Sequence, residues 1–288
     1  MAMSVLVTGS HGRTGKTVVK ALAERGSNVR AFIRDPAQES EMKAIGASSI
    51  AVGDMDEPNT ILVALEGCDT IVHIGPPMHP DEKAMTCHFV DAAKIAGVSR
   101  FIYYSVMHPL RREVRHHRLK LDTEEMLIES GLPYSIVQPM RYMQHLEPIW
   151  SKVMADGVHA MPFNTQVKFN VVDLLDLAEA TARITLGEGW LYGTYEFAGP
   201  EALSQSDMAE IISNVTGKNI KAAHFSIEAL QNKARANGAS EDRVDQMTIM
   251  NQHYNSFGFL GNSRILERVL ERTPGTFENY VRRLYTQN

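Results

Sequence analysis

Short apolar runs alternate with helical stretches through the first half of this chain, and the rhythm breaks after Pro139. Residues 5–8, 29–33, 49–52, 70–74, 101–105 and 134–137 form mainly apolar runs of strand length. That is the pattern of strands covered on both faces of a parallel sheet. Between them, residues 17–25, 59–66, 82–96 and 112–130 carry helical patterns. Gly26, Gly46, Gly67, Gly97 and Gly131 fall where each helix should end in a left-handed cap. Strands alternating with helices of this length imply an α/β fold, a Rossmann-type doubly wound parallel sheet with right-handed crossovers.

Beyond Pro139 the pattern predicts a helix over 149–155, a short extended segment over 158–162 and a strand over 194–197. Residues 173–186 read as an amphipathic helix, with Leu174, Leu177, Ala178, Thr181 and Ile184 on one face. Further helices are expected from Ser204, Ser226, Glu241 and Thr276. The expected organisation is a nucleotide-binding core over 1–139 and a smaller α+β lobe over 140–288. That lobe is expected to be mainly substrate-binding, with some segments returning to the core. Ligands of open parallel sheets sit at the C-terminal ends of the strands, so the lobe is expected to roof that cleft.

The glycines of Thr8-Gly9-Ser10-His11-Gly12-Arg13-Thr14-Gly15-Lys16 carry the first chemical signal. Without Cβ atoms they let a strand turn sharply into a helix and let backbone N–H groups approach a ligand closely. The start of that helix has unpaired N–H donors and a positive dipole end, which suit a pyrophosphate. The spacing is GxxGxxG; Gly9 to Gly15 is one residue too long for a phosphate-binding P-loop. Gly9, Ser10, His11, Gly12, Arg13, Thr14 and Gly15 are therefore expected around a dinucleotide.

The end of the second strand faces the adenosine ribose in such folds, where an acidic residue suits NAD and an arginine suits NADP. Arg34 stands there, followed by Asp35 and Pro36, and Arg13 in the glycine loop can reach the same phosphate. NADP(H) is the expected cofactor. The competing reading makes Arg34 a surface residue and Asp35 a ribose ligand or turn starter. Asp54 and Met55 follow the third strand, where Asp54 can accept from the adenine amino group or open the next helix. Gly75 and Pro76 follow the fourth strand, on the expected nicotinamide side.

Composition narrows the class further. A net charge of −5 and the absence of a basic stripe argue against nucleic acid as a partner. No apolar run is long enough to span a bilayer. With a first strand expected from residue 5, no leader segment is expected, and the two cysteines make no metal or disulfide framework. A cytoplasmic protein without a metal site is the expectation. The scattered histidines His73, His79, His88, His108 and His145 are expected to be ordinary polar residues, since no metal-binding pairing accompanies them.

These residues resemble the NmrA-like, atypical members of the short-chain dehydrogenase/reductase superfamily over most of the chain. The resemblance rests on GxxGxxG, Ile33-Arg34-Asp35, Val52-Gly53-Asp54 and Phe101-Ile102-Tyr103-Tyr104-Ser105-Val106. It continues through EEMLIESGLPYSIVQP at 124–139 and Phe197-Ala198-Gly199-Pro200. It implies a Rossmann-type domain with a small substrate lobe and usually NADP(H). The family holds both reductases and cofactor-binding regulators. The superfamily's usual catalytic set is a Ser or Thr after strand five, then Tyr and Lys in YxxxK. Ser105 and Lys120 match the outer members, whereas the tyrosine position holds His116.

His116 and Lys120, four apart, share a helix face, and His117 with Lys120 can do so as well. A tyrosine has an ordinary pKa near 10, while a histidine near 6.5 already titrates at neutral pH. An imidazolium can therefore donate a proton directly, with Ser105 bonding the substrate oxygen and Lys120 holding the nicotinamide ribose. Met78, Met140, Tyr142 and Met143 follow strands four and six and suggest an apolar, adaptable substrate pocket, or ordinary core. The expected function is an NADP(H)-dependent oxidoreductase reducing a small apolar carbonyl, quinone or conjugated double bond by hydride transfer. The alternative is a non-catalytic NADP(H)-binding redox sensor with a protein partner. A small-molecule substrate is the expected partner, and homodimer formation is left open.

Overall fold

The computed structural model describes residues 2–287. Six strands, β1 (Ser4–Val7), β2 (Asn28–Ile33), β3 (Ser49–Val52), β4 (Thr70–His73), β5 (Arg100–Tyr104) and β6 (Tyr134–Pro139), run parallel. They lie in the order β3-β2-β1-β4-β5-β6, with the strand Gly193–Phe197 beyond β6. This is the doubly wound order, whose direction reverses between β1 and β4 and so opens a ligand-binding crevice at their C-terminal ends. The fold class read from the apolar runs is the one observed.

Helices α1 (Arg13–Ala23), α2 (Glu39–Ala44), α3 (Pro58–Leu65), α4 (Glu82–Ala96) and α5 (Arg115–Glu129) connect these strands. The five cap glycines all take positive φ. Helix α1 starts four residues earlier than its apolar pattern suggests, because Gly12 is already its N-cap. The short helix α2 was not expected, since its Glu39-Ser40-Glu41 start carries no apolar period.

The chain divides into two compact units. The first holds residues up to 110, 117–138 and 177–195; the second holds 111–116, 139–176 and 196 onward. Leu6, Ile71, Phe89, Phe101, Tyr103 and Leu127 lie at the heart of the first unit's core. There Phe89 meets Phe32 edge-on, with ring centroids 5.6 Å apart.

The later elements are β7 (Arg141–Tyr142), α6 (Trp150–Asp156), β8 (Val158–Met161), β9 (Lys168–Val172), α7 (Leu174–Leu186) and β10 (Gly193–Phe197). After them come β11 (Ala202–Ser204), α8 (Gln205–Thr216), β12 (Lys221–His224), α9 (Ile227–Ala236), α10 (Glu241–Phe257), α11 (Arg264–Leu270) and α12 (Phe277–Thr286). In the second unit, β7 and β11 flank β9, while β8 pairs with β12. Strands this short give no readable alternation, which is why β7, β9, β11 and β12 are absent from the expectations above. A core of Trp150, Val153, Val171, Ile212, Tyr280 and Leu284 holds these elements together. A capping box between Ser204 and Asp207 starts α8. Among the described residues, no helix is long and apolar enough to cross a membrane.

Phe89→Ala is expected to destabilise the protein by about 3–5 kcal/mol, read from urea unfolding, because a buried aromatic leaves a cavity. Ile95→Ala on the same helix, at a position 73% exposed, is expected to change stability by less than about 0.5 kcal/mol.

Candidate active site

The glycine turn is built around Thr8, which is fully buried. Its N–H donates to Val72 O at 3.0 Å, and its hydroxyl oxygen accepts from Ile74 N at 2.9 Å. These bonds clamp the end of β1 to the end of β4. Gly9 then takes φ +57°, and a Cβ there would lie 2.6 Å from Ile74 O. A Cβ on Gly15 would lie 2.2 Å from Gly9 O, so strand and helix meet here at glycine distance. Gly12 N donates to Gly9 O at 3.0 Å and caps α1 without a side chain. The N–H groups of the next helical turn have no intrahelical acceptor, and they form the cradle that a pyrophosphate fits.

Other loop residues divide their labour. The Ser10 hydroxyl is fully buried and donates to Phe32 O at 2.7 Å, fastening the turn to β2. Its side chain therefore positions the loop. His11 Nε2 lies 2.9 Å and Lys16 Nζ 2.5 Å from the two carboxylate oxygens of Glu41 on α2. Lys16, and then His11, hold the exposed Glu41 carboxyl below its ordinary range. Arg13 is exposed and Thr14 half-buried on the first turn of α1.

At the end of β2, Arg34 is exposed, and its side chain forms no hydrogen bond or ion pair among the described residues. Asp35 instead accepts from Ala37 N at 2.9 Å and caps a short 3-10 turn, the turn-starter role. Asp54 is half-buried, and one carboxylate oxygen accepts from Asp56 N at 3.1 Å. Met55 packs on the first unit's core, and its carbonyl lies 3.0 Å from His88 Nδ1. Gly75 follows β4 so closely packed that a Cβ would fall 3.0 Å from Glu82 Oε1. Pro76 O accepts from His79 N at 3.4 Å, and Met78 is half-buried with φ 60°.

At the ends of β4 and β5 lies a buried polar cluster that the sequence reading caught only in part. Lys120, from α5, is 5% exposed and forms an ion pair with Glu82, which is 1% exposed. Lys120 Nζ also donates to Tyr104 O at 2.6 Å and sits 4.9 Å from the Tyr103 ring centroid. Ser105 donates its hydroxyl proton to Glu124, and Gln138 Nε2 donates to both Glu124 oxygens at 2.8 and 3.0 Å. Burial raises the Glu124 pKa, while Ser105, Gln138 and Lys120 oppose the rise. Ser105 and Lys120 are thus brought into one network, whose carboxylates Glu82 and Glu124 were not anticipated. Glu82 reads in sequence as an ordinary first-turn acid; Glu124, four residues beyond Lys120, reads as part of a solvated face.

His73 belongs to this network rather than to the surface. It is fully buried, with Nδ1 3.0 Å from Thr8 Oγ1 and Nε2 3.1 Å from Thr86 Oγ1. The Thr86 hydroxyl donates to Glu82 O at 2.9 Å and the Thr8 hydroxyl to Ile74 O at 3.3 Å, so both ring nitrogens meet hydroxyls tied to backbone carbonyls. Burial first, then the Lys120 charge, lowers the His73 pKa to about 3.

His117 is fully buried, with Nδ1 2.9 Å from His108 O, so it anchors the start of α5. His116 is half-buried and lies in the second unit. In that unit Tyr142 and Met143 line a small pocket with Arg141, His145 and His159. Met140 is 2% exposed and bonds through its N–H to Phe197 O at 2.9 Å, so it packs as core rather than lining that pocket.

The buried neutral His73 carries a pH prediction. An unfolded histidine titrates near 6.5, so between that value and about 3 the unfolded chain binds the extra proton. Stability is therefore expected to fall as pH drops through this window. Urea unfolding from neutral pH to about pH 4 is expected to show a shallower pH slope in His73→Asn than in the parent. Equal slopes would remove His73 as the cause.

The model of the NmrA-like family matches residues 1–281. An NAD(P)H azoreductase from Xenophilus azovorans is 29% identical over 244 residues, covering 84% of each chain. An NADPH-dependent quinone oxidoreductase from Escherichia coli, solved with NADPH, superposes with a TM-score of 0.86 at 22% identity, over 98% of this chain and 99% of that one. The Citrobacter triphenylmethane reductase, solved with NADP(H), gives 0.84 at 22% identity over 98% and 99%. At these identities the two structures establish a shared fold, whereas the family model spans nearly the whole sequence. The chain belongs to the NmrA-like family.

Proposed function

We propose that this protein is an NADP(H)-dependent oxidoreductase that reduces a small apolar carbonyl, quinone or conjugated double bond. One observation carries the reading: a buried ammonium, Lys120, stands beside Ser105 at the C-terminal end of β5, in a sheet whose β1–α1 turn fits a pyrophosphate. The azoreductase relative supports it. When bound, NADPH supplies a hydride.

The chain's own residues do the rest. Gly9, Gly12 and Gly15 shape the turn whose N–H groups hold the pyrophosphate. Arg34, aided by Arg13, takes the 2′-phosphate; each charge-assisted bond contributes about 1.5–3 kcal/mol, roughly 10- to 150-fold in affinity. Lys120, paired with Glu82 and donating to Tyr104 O, would hold the nicotinamide ribose through its ammonium. The Ser105 proton, aimed at Glu124, turns toward the negative charge developing on the substrate oxygen. Gln138 keeps Glu124 bonded meanwhile. His116 donates the proton, because His117 is engaged with the His108 carbonyl.

A small-molecule partner suffices for this chemistry. Two free thiols, Cys68 and Cys87, support a reducing, cytoplasmic setting. The sensor reading has less support, since Ser105 and Lys120 are both in place and the azoreductase relative is an enzyme.

Titration with both nucleotides is expected to show tighter binding of NADPH than NADH. In Arg34→Ala that preference is expected to fall by about 10-fold or more. Equal affinity for the two nucleotides in the parent protein would overturn the cofactor assignment. Steady NADPH consumption is expected with members of a panel of quinones and aldehydes. His116→Ala is expected to lower that turnover by about 100-fold or more, with cofactor affinity nearly unchanged. Unaltered turnover would take His116 out of the mechanism.

A further inference from the structure

We infer that the second unit holds a recognition site for an anionic oxygen group, a carboxylate or sulfonate, carried on a planar aromatic molecule. Its centre is Arg141 on β7, whose guanidinium carbon lies 5.6 Å from the Phe163 ring centroid and 5.8 Å from that of Phe169. The only acceptor its side chain reaches among the described residues is the Met161 thioether, at 3.6 Å. A thioether is a weak acceptor, and aromatic faces offer a cation attraction but no lone pair for its N–H donors. No Asp or Glu lines the pocket.

Neighbouring arginines in the same unit are satisfied differently. Arg111 donates to Gly258 O at 2.8 Å, Arg272 pairs with Asp176 at 2.7 Å and Arg283 with Asp173 at 2.6 Å. A guanidinium shielded by rings and left without an internal oxygen is costly unless something supplies one. Burial brings the Arg141 pKa down to about 10, which leaves it charged at neutral pH.

The surroundings fit a ligand rather than a missing internal partner. His159 is 5% exposed, and its Nδ1 makes no hydrogen bond among the described residues. Burial, and then Arg141, hold that ring neutral with a pKa of about 4, so it can donate to a bound oxygen. Gln205 is anchored by Nε2 to His159 O and to Ala223 O and so fixes the backbone that carries His159. The pocket is partly open and offers about 30 Å³ of space, enough for a terminal group. Tyr142, stacked on His145 at 5.6 Å between centroids, offers flat apolar surface beside it.

Binding at this site stands apart from the function proposed above. Calorimetric titration of the full-length protein with naphthoate, and with its uncharged isostere naphthamide, tests it. Naphthoate is expected to bind at least about 10-fold more tightly. Arg141→Met is expected to abolish that preference and Arg141→Lys to keep part of it. Equal affinity for the two compounds in the parent protein overturns the site, as does a preference that survives in folded Arg141→Met. The parent comparison stands even if a variant fails to fold. NADPH oxidation by quinones is measured alongside. Oxidation without a naphthoate preference removes the site and leaves the reductase reading; the preference without oxidation does the reverse.

Discussion

A lysine ammonium shut away from water governs how the ends of β4 and β5 are built. Lys120 comes from α5, Glu82 from the first residue of α4 and the accepting carbonyl from the last residue of β5. Removing one partner of such a pair leaves an uncompensated buried charge, commonly at a cost of about 3–5 kcal/mol. Three elements are therefore held in register by one charge. The same charge helps keep His73 neutral. Neutral His73 is hydrogen-bonded to Thr8, and Thr8 clamps the glycine turn to β4. The phosphate cradle and the polar cluster are thus ends of one connected network.

Stability alone does not account for that charge. Apolar residues of similar volume often stabilise a fold as well as a buried ion pair or better. Under the proposed function, Lys120 serves by offering a fixed donor in a nearly dry site, where electrostatic interactions are stronger than in water. Ser105 and Glu124 have a comparable relation, since the hydroxyl holds one partner and can exchange it for another. Gln138 makes that exchange tolerable by keeping the carboxylate bonded throughout.

How much of this was legible in the sequence depends on the range of the interaction. The β1–β6 runs and the five cap glycines are local signals, and they appear in the structure close to where they were read. The glycine turn was legible because the approach of Gly15 to Gly9 lies within the turn itself, whereas that of Gly9 to Ile74 O does not. Glu82 was not, because its partner lies 38 residues away and a first-turn glutamate needs no partner to be favourable. Glu124 was hidden among other charges in a helical stretch. Arg141 shows the same limit: nothing around it in sequence announces the rings of Phe163 and Phe169. The short strands β7, β9 and β11 also depend on pairing at a distance, with Val171 opposite Arg141 and Phe169 opposite Leu203.

Hydride transfer is tested most directly by a single turnover. The NADPH-loaded protein would be mixed rapidly with a quinone, using nucleotide that carries either hydrogen or deuterium at the transferring nicotinamide carbon. Formation of oxidised nucleotide, slowed by deuterium, is the expected result. Nucleotide that remains bound and reduced with every acceptor would contradict a catalytic role and leave a protein that binds the cofactor without using it.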